Sequence, residues 1–127
     1  MKTKHFPFLA GLLIGALGLY LIQYLSAKTK ASSEMLPVPF YTTLFENDEI
    51  RILNHVINPG EGEPKHSHPP MYAYFIGDTE ATVTNELDGS VLVRHLKDGE
   101  HFLVPATTHS IVNTGTGTLH SILVELK

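Results

Sequence analysis

GEGEPKHSHPPMY, residues 60–72, and GEHFLVPATTHSIVN, residues 99–113, hold the densest chemistry of this 127-residue chain. The first segment carries His66 and His68 two positions apart. On a β-strand, residues i and i+2 point to the same face about 7 Å apart, so both imidazoles would face one cavity and could share one metal ion. Taken alone, this spacing favours the alternative, a pair of exposed histidines on a loop flanked by prolines.

The residues around these two segments predict a small all-β domain. Eight short runs of apolar and β-branched residues follow position 39, and Gly, Asn and Asp separate them as in turns. The predicted strands are 40–45, 50–57, 71–76, 80–87, 91–96, 101–104, 110–112 and 119–126. No 12-residue stretch after position 39 has apolar residues at the helical period of 3.6. Regularly spaced strands with Gly-rich turns are typical of a β-sandwich or barrel.

Together, the two segments resemble the two sequence motifs of the cupin superfamily. The matching residues are Gly60, His66 and His68 in the first motif and Gly99, Pro105, His109 and Asn113 in the second. The resemblance covers residues 39–127 and is closest to small single-domain cupins of type 2, in the RmlC-like superfamily, most of which are uncharacterised. It implies a cupin double-stranded β-helix, which is a jelly-roll barrel.

The resemblance also implies a metal site inside this barrel, with His66, His68 and His109 as ligands. The family's first motif normally adds a glutamate three or four residues after the second histidine. Tyr72 and Ala73 occupy those positions here, so the carboxylate is missing from its usual place.

Loss of that carboxylate leaves the function open between classes. A three-His site is still a legitimate site for a divalent ion, because it leaves open positions and makes the ion a stronger Lewis acid. Fe(II) is the first ion expected, with Zn, Mn or Ni as alternatives, and the expected chemistry is that of an oxygenase or dioxygenase of a small organic substrate. In the alternative, the pocket binds or senses a small ligand without turnover. Whether the chain is an enzyme therefore stays undecided at this stage.

Three further residues are predicted near the ligands. Tyr72 has the strand parity of His66 and His68 and is the candidate catalytic residue, where it would contact the ion or a bound substrate. Tyr74 shares that parity and is expected to line the cavity. Asn113 follows His109 by four residues, so on a regular strand it faces the same way and is expected to hydrogen-bond a neighbour of the ligands.

Residues 6–27, FPFLAGLLIGALGLYLIQYLSA, form a separate membrane-directed segment of 22 residues without Asp, Glu, Lys or Arg. As a helix at about 1.5 Å per residue it would span roughly 30 Å, the thickness of the hydrocarbon core. The predicted organisation is a signal-anchor or transmembrane helix over 1–27, a linker over 28–38 and a cupin domain over 39–127. Removal of the segment as a signal peptide stays open. Its short basic leader predicts the domain on the extracytoplasmic side, periplasmic or extracellular, although lysines flank both ends.

Charge and composition exclude several functions. Residues 39–127 contain 12 acidic and five scattered basic side chains, so this domain offers no footprint for nucleic acid. The chain has no cysteine, which excludes disulfides and thiolate nucleophiles. The expected partners are a small-molecule ligand or substrate and the membrane, and the resemblance to cupins adds a possible homodimer.

Overall fold

The computed structural model describes residues 36, 37 and 39–127, which contain nine β-strands and no helix. The strands are β1 (Tyr41–Glu46), β2 (Ile50–Ile57), β3 (Gly62–His68), β4 (Met71–Phe75), β5 (Thr79–Asn85), β6 (Val91–Leu96), β7 (His101–Val104), β8 (Thr107–Asn113) and β9 (Leu119–Leu126). Within this part of the chain, nothing helical is long and apolar enough to cross a bilayer. The predicted membrane segment and nearly all of the linker lie outside the described residues.

The strands form two antiparallel sheets that enclose one apolar core. The five-stranded sheet has the order β1-β2-β9-β4-β7, and the four-stranded sheet has the order β3-β8-β5-β6. The buried core residues are Leu53, Ile57, Met71, Ala73, Phe75, Ala81, Leu96, Leu119 and Leu123. Each apolar run that predicted a strand corresponds to a strand, so the all-β prediction is confirmed for the described residues.

The strand β3 was not predicted, and it has no buried apolar side chain. Its sequence is GEPKHSH, and its buried residues are Glu63, His66 and His68. A search for alternating apolar residues cannot find such a strand, because polar groups take the inner positions. This strand carries two of the three predicted metal ligands.

A β-bulge in β3 changes which residues face inward. Glu63 pairs with Ile111 and His66 pairs with His109, so β3 advances three residues while β8 advances two. The extra length falls at Pro64, whose missing N–H suits a bulge because no ladder bond is needed there. As a result Glu63 and His66 face the same interior although they are three residues apart.

Candidate metal centre

The three predicted histidine ligands meet at one point in the described structure. His66 on β3 and His109 on β8 are direct cross-strand partners, and His68 lies two residues further along β3 on the inner face. Nε2 of His66 lies 3.1 Å from Nε2 of His68 and 3.2 Å from Nε2 of His109. All three side chains are buried, and their ligand atoms lie within 4.8 Å of one another.

Hydrogen bonds on the far side of two rings set which nitrogen faces the centre. Nδ1 of His66 donates to the carbonyl of Pro64 at 2.8 Å. Nδ1 of His68 donates to Oε1 of Glu125 at 2.5 Å, and Oε2 of Glu125 accepts from Nε of Arg51 at 2.5 Å. When a neutral imidazole carries its proton on Nδ1, Nε2 presents a lone pair. Both β3 histidines are therefore oriented as metal ligands are, with the outer nitrogen held by an acceptor.

Tyr41 of β1 lies against these nitrogens and cannot satisfy them all. Its hydroxyl donates to Oε1 of Glu63 at 3.0 Å and lies 3.1 Å from Nε2 of His66 and 3.3 Å from Nε2 of His68. One hydroxyl proton cannot serve three acceptors, and the two Nε2 atoms that face each other have no proton between them. This surplus of lone pairs in a buried place is unfavourable, and a cation would relieve it.

The spacing of the nitrogens fits a divalent metal ion. Around a tetrahedral ion with nitrogen ligands at about 2.0–2.1 Å, neighbouring ligand atoms lie about 3.3 Å apart. Two of the three Nε2 separations, 3.1 and 3.2 Å, are close to that value, and the three ligand atoms all lie within 4.8 Å of one another. Imidazole nitrogens suit several first-row divalent ions, so the donor set supports a metal ion without selecting one.

Glu63 adds a buried carboxylate beside the three histidines. Its side chain is 0% exposed, and its Oε1 lies 3.6 Å from Nε2 of His66 and 3.5 Å from Nε2 of His55. Among the described residues, Oε2 of Glu63 and Nε2 of His55 have no hydrogen-bond partner. A buried carboxylate needs positive charge or hydrogen bonds nearby. Glu63 therefore supplies negative charge where an ion among the histidines would need it.

Burial controls the protonation of this centre. Burial, helped by His66 and His68, lowers the pKa of His109 to about 4. Burial also lowers the pKa of His66, against the opposing charge of Glu63. The hydroxyl of Tyr41 has a raised pKa, first because it is buried and second because of the negative charge of Glu63. At neutral pH the centre thus presents neutral His66 and His109 and a protonated phenol.

These pKa shifts predict that the metal-free protein loses stability in mild acid. Between pH 6.5 and about 4 the unfolded chain takes up a proton at His109 that the folded chain refuses, so unfolding becomes more favourable as the pH falls. The difference amounts to about 3 kcal/mol at pH 4 from His109 alone. Burial raises the pKa values of Glu63 and Glu125, but nearby histidine, Tyr41 and Arg51 groups lower them overall, so both carboxylates add to the loss below their usual pKa.

Urea unfolding of the full-length, metal-free protein at pH 7.5 and pH 4.5 measures this loss. The midpoint should fall at the lower pH, and His109→Leu should reduce the fall. The exposed His95 provides the control, because His95→Asn should leave the pH dependence unchanged. Equal midpoints at the two pH values would contradict the assignment of a buried neutral His109.

The centre lies on the wall of a cavity of about 320 Å³ between the inner faces of the strands. This volume is at the lower end of those of small-molecule sites. Most of the lining is apolar, and six representative residues are Met71, Ala73, Phe75, Val83, Phe102 and Leu123. The polar lining includes His68 and His109 of the centre, the neighbouring His55, and Arg94 on β6. The arrangement can hold a small, largely apolar molecule next to the three histidines.

The prediction that Tyr72 and Tyr74 face this cavity is wrong. Along β4 the buried residues are Met71, Ala73 and Phe75, while Tyr72 is 38% and Tyr74 is 43% exposed. The parity argument failed because β3 ends at His68, and the chain then passes to the other sheet before β4 begins. The two tyrosines instead pack near His101 on the outer face.

The prediction that Asn113 assists the ligands is also wrong. Its side chain is completely buried, and its Nδ2 donates to the carbonyls of Ile57 and Gly117 at 2.9 Å each. Its Oδ1 accepts from the hydroxyl of Thr79 and from the backbone N–H of Gly115. Asn113 therefore anchors the turn between β8 and β9. The bulge-free path of β8 brings it to the inner face, but at the strand end away from His109.

Four residues of the centre were missed at the level of sequence: Tyr41, His55, Glu63 and Glu125. His55 lies between Leu53 and Ile57 at alternate positions of β2, so a polar group on an inner row with apolar neighbours was a usable signal. Glu125 holds the same kind of position on β9. No such signal existed for Glu63, because only the bulge turns it inward.

Comparisons with known proteins identify the fold. No family model and no curated protein matches this sequence. A cupin domain from Bordetella pertussis is 14% identical, with a TM-score of 0.64 over 75% of this chain and 99% of that chain. An RmlC-like cupin family protein with a double-stranded β-helix fold, from Methanocaldococcus jannaschii, is 19% identical, with a TM-score of 0.54 over 75% and 89%. The polyketide cyclase RemF from Streptomyces resistomycificus is 16% identical, with a TM-score of 0.54 over 78% and 75%. At these low sequence identities, the similarities show a shared fold and nothing about function.

Proposed function

We propose that this chain, which has the double-stranded β-helix fold of the cupins, is a membrane-tethered protein that binds a divalent metal ion through His66, His68 and His109. One observation carries the proposal: three buried histidines converge within 4.8 Å on the wall of an apolar cavity. Two of them have Nδ1 held by an acceptor, which leaves Nε2 free for an ion.

The reaction we propose is that of a Fe(II)-dependent oxygenase or dioxygenase acting on a small organic substrate. When bound, such an ion supplies Lewis acidity, one-electron redox chemistry and open positions beyond its three neutral ligands. The apolar lining of the cavity excludes water from a bound molecule and favours an apolar one.

Tyr41 and Glu63 have the supporting roles in this proposal. Tyr41 keeps its proton, because burial and Glu63 raise its pKa, and so its hydroxyl can donate a hydrogen bond beside the histidines. Glu63, whose Oε1 lies 3.6 Å from Nε2 of His66, would compensate the positive charge of an ion held by the histidines. Neither residue was in the set implied by the sequence motifs.

The location we propose is the extracytoplasmic side of a membrane, periplasmic or extracellular. The support is the apolar 22-residue segment at positions 6–27 with its short basic leader.

A second candidate function is a binding or sensing module without turnover. The position of Tyr41 favours it, because the hydroxyl lies within 3.3 Å of Nε2 of both His66 and His68 and so fills space that a reactant beside these ligands would need. In this case the same cavity and centre hold a ligand, and no product forms.

Elemental analysis of the full-length protein, purified in detergent without chelator or a His-rich tag, tests the proposal. We expect close to one iron per chain after anaerobic loading with Fe(II), followed by oxygen consumption when substrate candidates are added. Absence of any bound metal after loading would overturn the metal function. Tight zinc or nickel in place of iron would contradict the choice of ion, and bound iron without oxygen consumption would favour the binding module.

A further inference from the structure

Arg94 occupies an unusual place on the inner face of the barrel. It lies on β6 between Leu92 and Leu96, and all three line the cavity. Its cross-strand partner on β5 is the buried Ala81, which confirms that this row of β6 faces inward. The side chain of Arg94 is half-buried between the exposed Leu92 and the buried Leu96, so its guanidinium borders the apolar cavity without being fully enclosed.

The guanidinium of Arg94 is held against an aromatic ring but is not neutralised. Its Cζ lies 4.5 Å from the centroid of the Phe102 ring, which also lines the cavity. A cation over a ring face is stabilised, while its N–H donors at the edge stay available. Stacking on Phe102 therefore positions Arg94 without using up its hydrogen-bonding capacity.

No anion within the described residues pairs with Arg94. The other arginine, Arg51, binds Glu125, and Lys97 and Lys127 each bind a carboxylate as well. In this same part of the chain no carboxylate lies within 4.0 Å of the Arg94 guanidinium, and no acceptor is hydrogen-bonded to it. Among the described residues that line the cavity, Arg94 is the only one of the types Asp, Glu, Lys and Arg.

We propose that the cavity binds an apolar carboxylic acid whose carboxylate pairs with Arg94 and whose apolar body extends toward the three histidines. A planar guanidinium matches a carboxylate with two parallel hydrogen bonds. The apolar lining, with Phe75 and Phe102, suits an aryl or hydrocarbon body. This inference rests on the proposed function only because it places the apolar body of the acid beside a metal centre. The pairing of the carboxylate with Arg94 does not depend on the metal, since Arg94 is hydrogen-bonded to none of the three histidines.

The positions of the strands set the shape of this acid. Arg94 of β6 pairs with Ala81 of β5, and His109 of β8 pairs with Asn85 of β5, so the two residues differ by two strand spacings across the sheet and four residues along it. At about 4.8 Å per strand and about 3.4 Å per residue, their backbones are about 17 Å apart. An elongated acid therefore fits this cavity better than a compact one such as acetate.

Equilibrium dialysis of cinnamate and its neutral isostere cinnamamide against the full-length protein tests this inference. One buffer and one detergent are used throughout, so partitioning into micelles cancels between variants. We expect the acid to bind at least tenfold more tightly than the amide, and Arg94→Met to remove that preference by weakening the acid alone. Arg94→Lys should retain part of it. Lys97→Met, which removes an equal charge from an exposed site, should leave the preference intact.

The outcomes separate this inference from the proposed metal function. Equal binding of acid and amide by the wild-type protein, or no binding of either, would overturn the inference whether or not metal is bound. A preference that survives in Arg94→Met and in a second variant, Arg94→Gln, would also overturn it. Preference for the acid in metal-free wild-type protein, lost in both variants, would support the Arg94 subsite even where iron loading fails.

Discussion

Replacing any one of His66, His68 and His109 by alanine should reduce bound metal from about one ion per chain to almost none. Each residue supplies one of three nitrogens that lie within 4.8 Å of one another, so a single loss leaves only two protein ligands. Loss of a residue that merely orients a ligand typically lowers metal affinity 10- to 100-fold, so loss of a ligand should exceed about 100-fold. Competition with a chromophoric chelator on the full-length protein measures this affinity.

The same experiment needs variants that separate metal loss from unfolding. His95→Ala, at a side chain that is 74% exposed and remote from the centre on β6, should bind metal as the wild type does. His66→Gln keeps much of the side-chain volume of His66 and so limits the cavity left behind. A folded variant, by circular dichroism, that still binds one ion at wild-type affinity would show that its histidine is no ligand.

Glu63→Gln should weaken metal binding about 10- to 100-fold and should also lower the stability of the metal-free protein at neutral pH. Both effects come from the negative charge of Glu63. The carboxylate lies 3.6 Å from Nε2 of His66, close enough to attract an ion held by the histidines. In the metal-free protein burial raises the pKa of Glu63, but His55, His66 and Tyr41 lower it overall, so the ionised carboxylate stabilises the fold. Glutamine has nearly the same shape without the charge, so it removes both contributions.

Chelator competition gives the affinity of the Glu63 variant, and urea unfolding in the presence of chelator gives its stability. The matched control is Glu49→Gln, because Glu49 is an exposed glutamate outside the strands and should change neither quantity. An affinity within twofold of the wild type would contradict the role of Glu63. A metal-free variant as stable as the wild type at neutral pH would contradict the stabilising contacts of the ionised carboxylate with Tyr41 and His55.

The amino-acid pattern predicted the barrel well where apolar residues alternate. In β2 and β9 the buried residues alternate with less buried ones, and this apolar period of two is visible in the sequence. The buried positions include Leu53 and Ile57 on β2, and Leu119 and Leu123 on β9. β3 escaped because its inner residues are polar. Its histidines were found only through the resemblance of their spacing to a known motif, not through any sign of a strand.

The errors at the site have two physical causes. Parity along the chain was carried from His68 to Tyr72, although the chain changes sheets between β3 and β4 and the phase is lost there. Parity would also have placed Glu63 and His66 on opposite faces of the sheet, whereas the bulge at Pro64 brings both to the inner face. Strand parity therefore predicts which residues share a face only as far as the next bulge or corner.

The inward positions of β3 hold ionisable residues that could bind an ion, where apolar residues would be more stable. None of its side chains belongs to the apolar core, and its three inward residues are ionisable. Leucine or valine at these positions would bury more apolar surface and so stabilise the folded state. Selection for heat resistance alone would therefore erode the centre first, since apolar residues at positions 63, 66 and 68 would turn β3 into an ordinary strand. A barrel that keeps Glu63, His66 and His68 is therefore less stable to heat than one with apolar residues there, but it retains residues that could hold an ion.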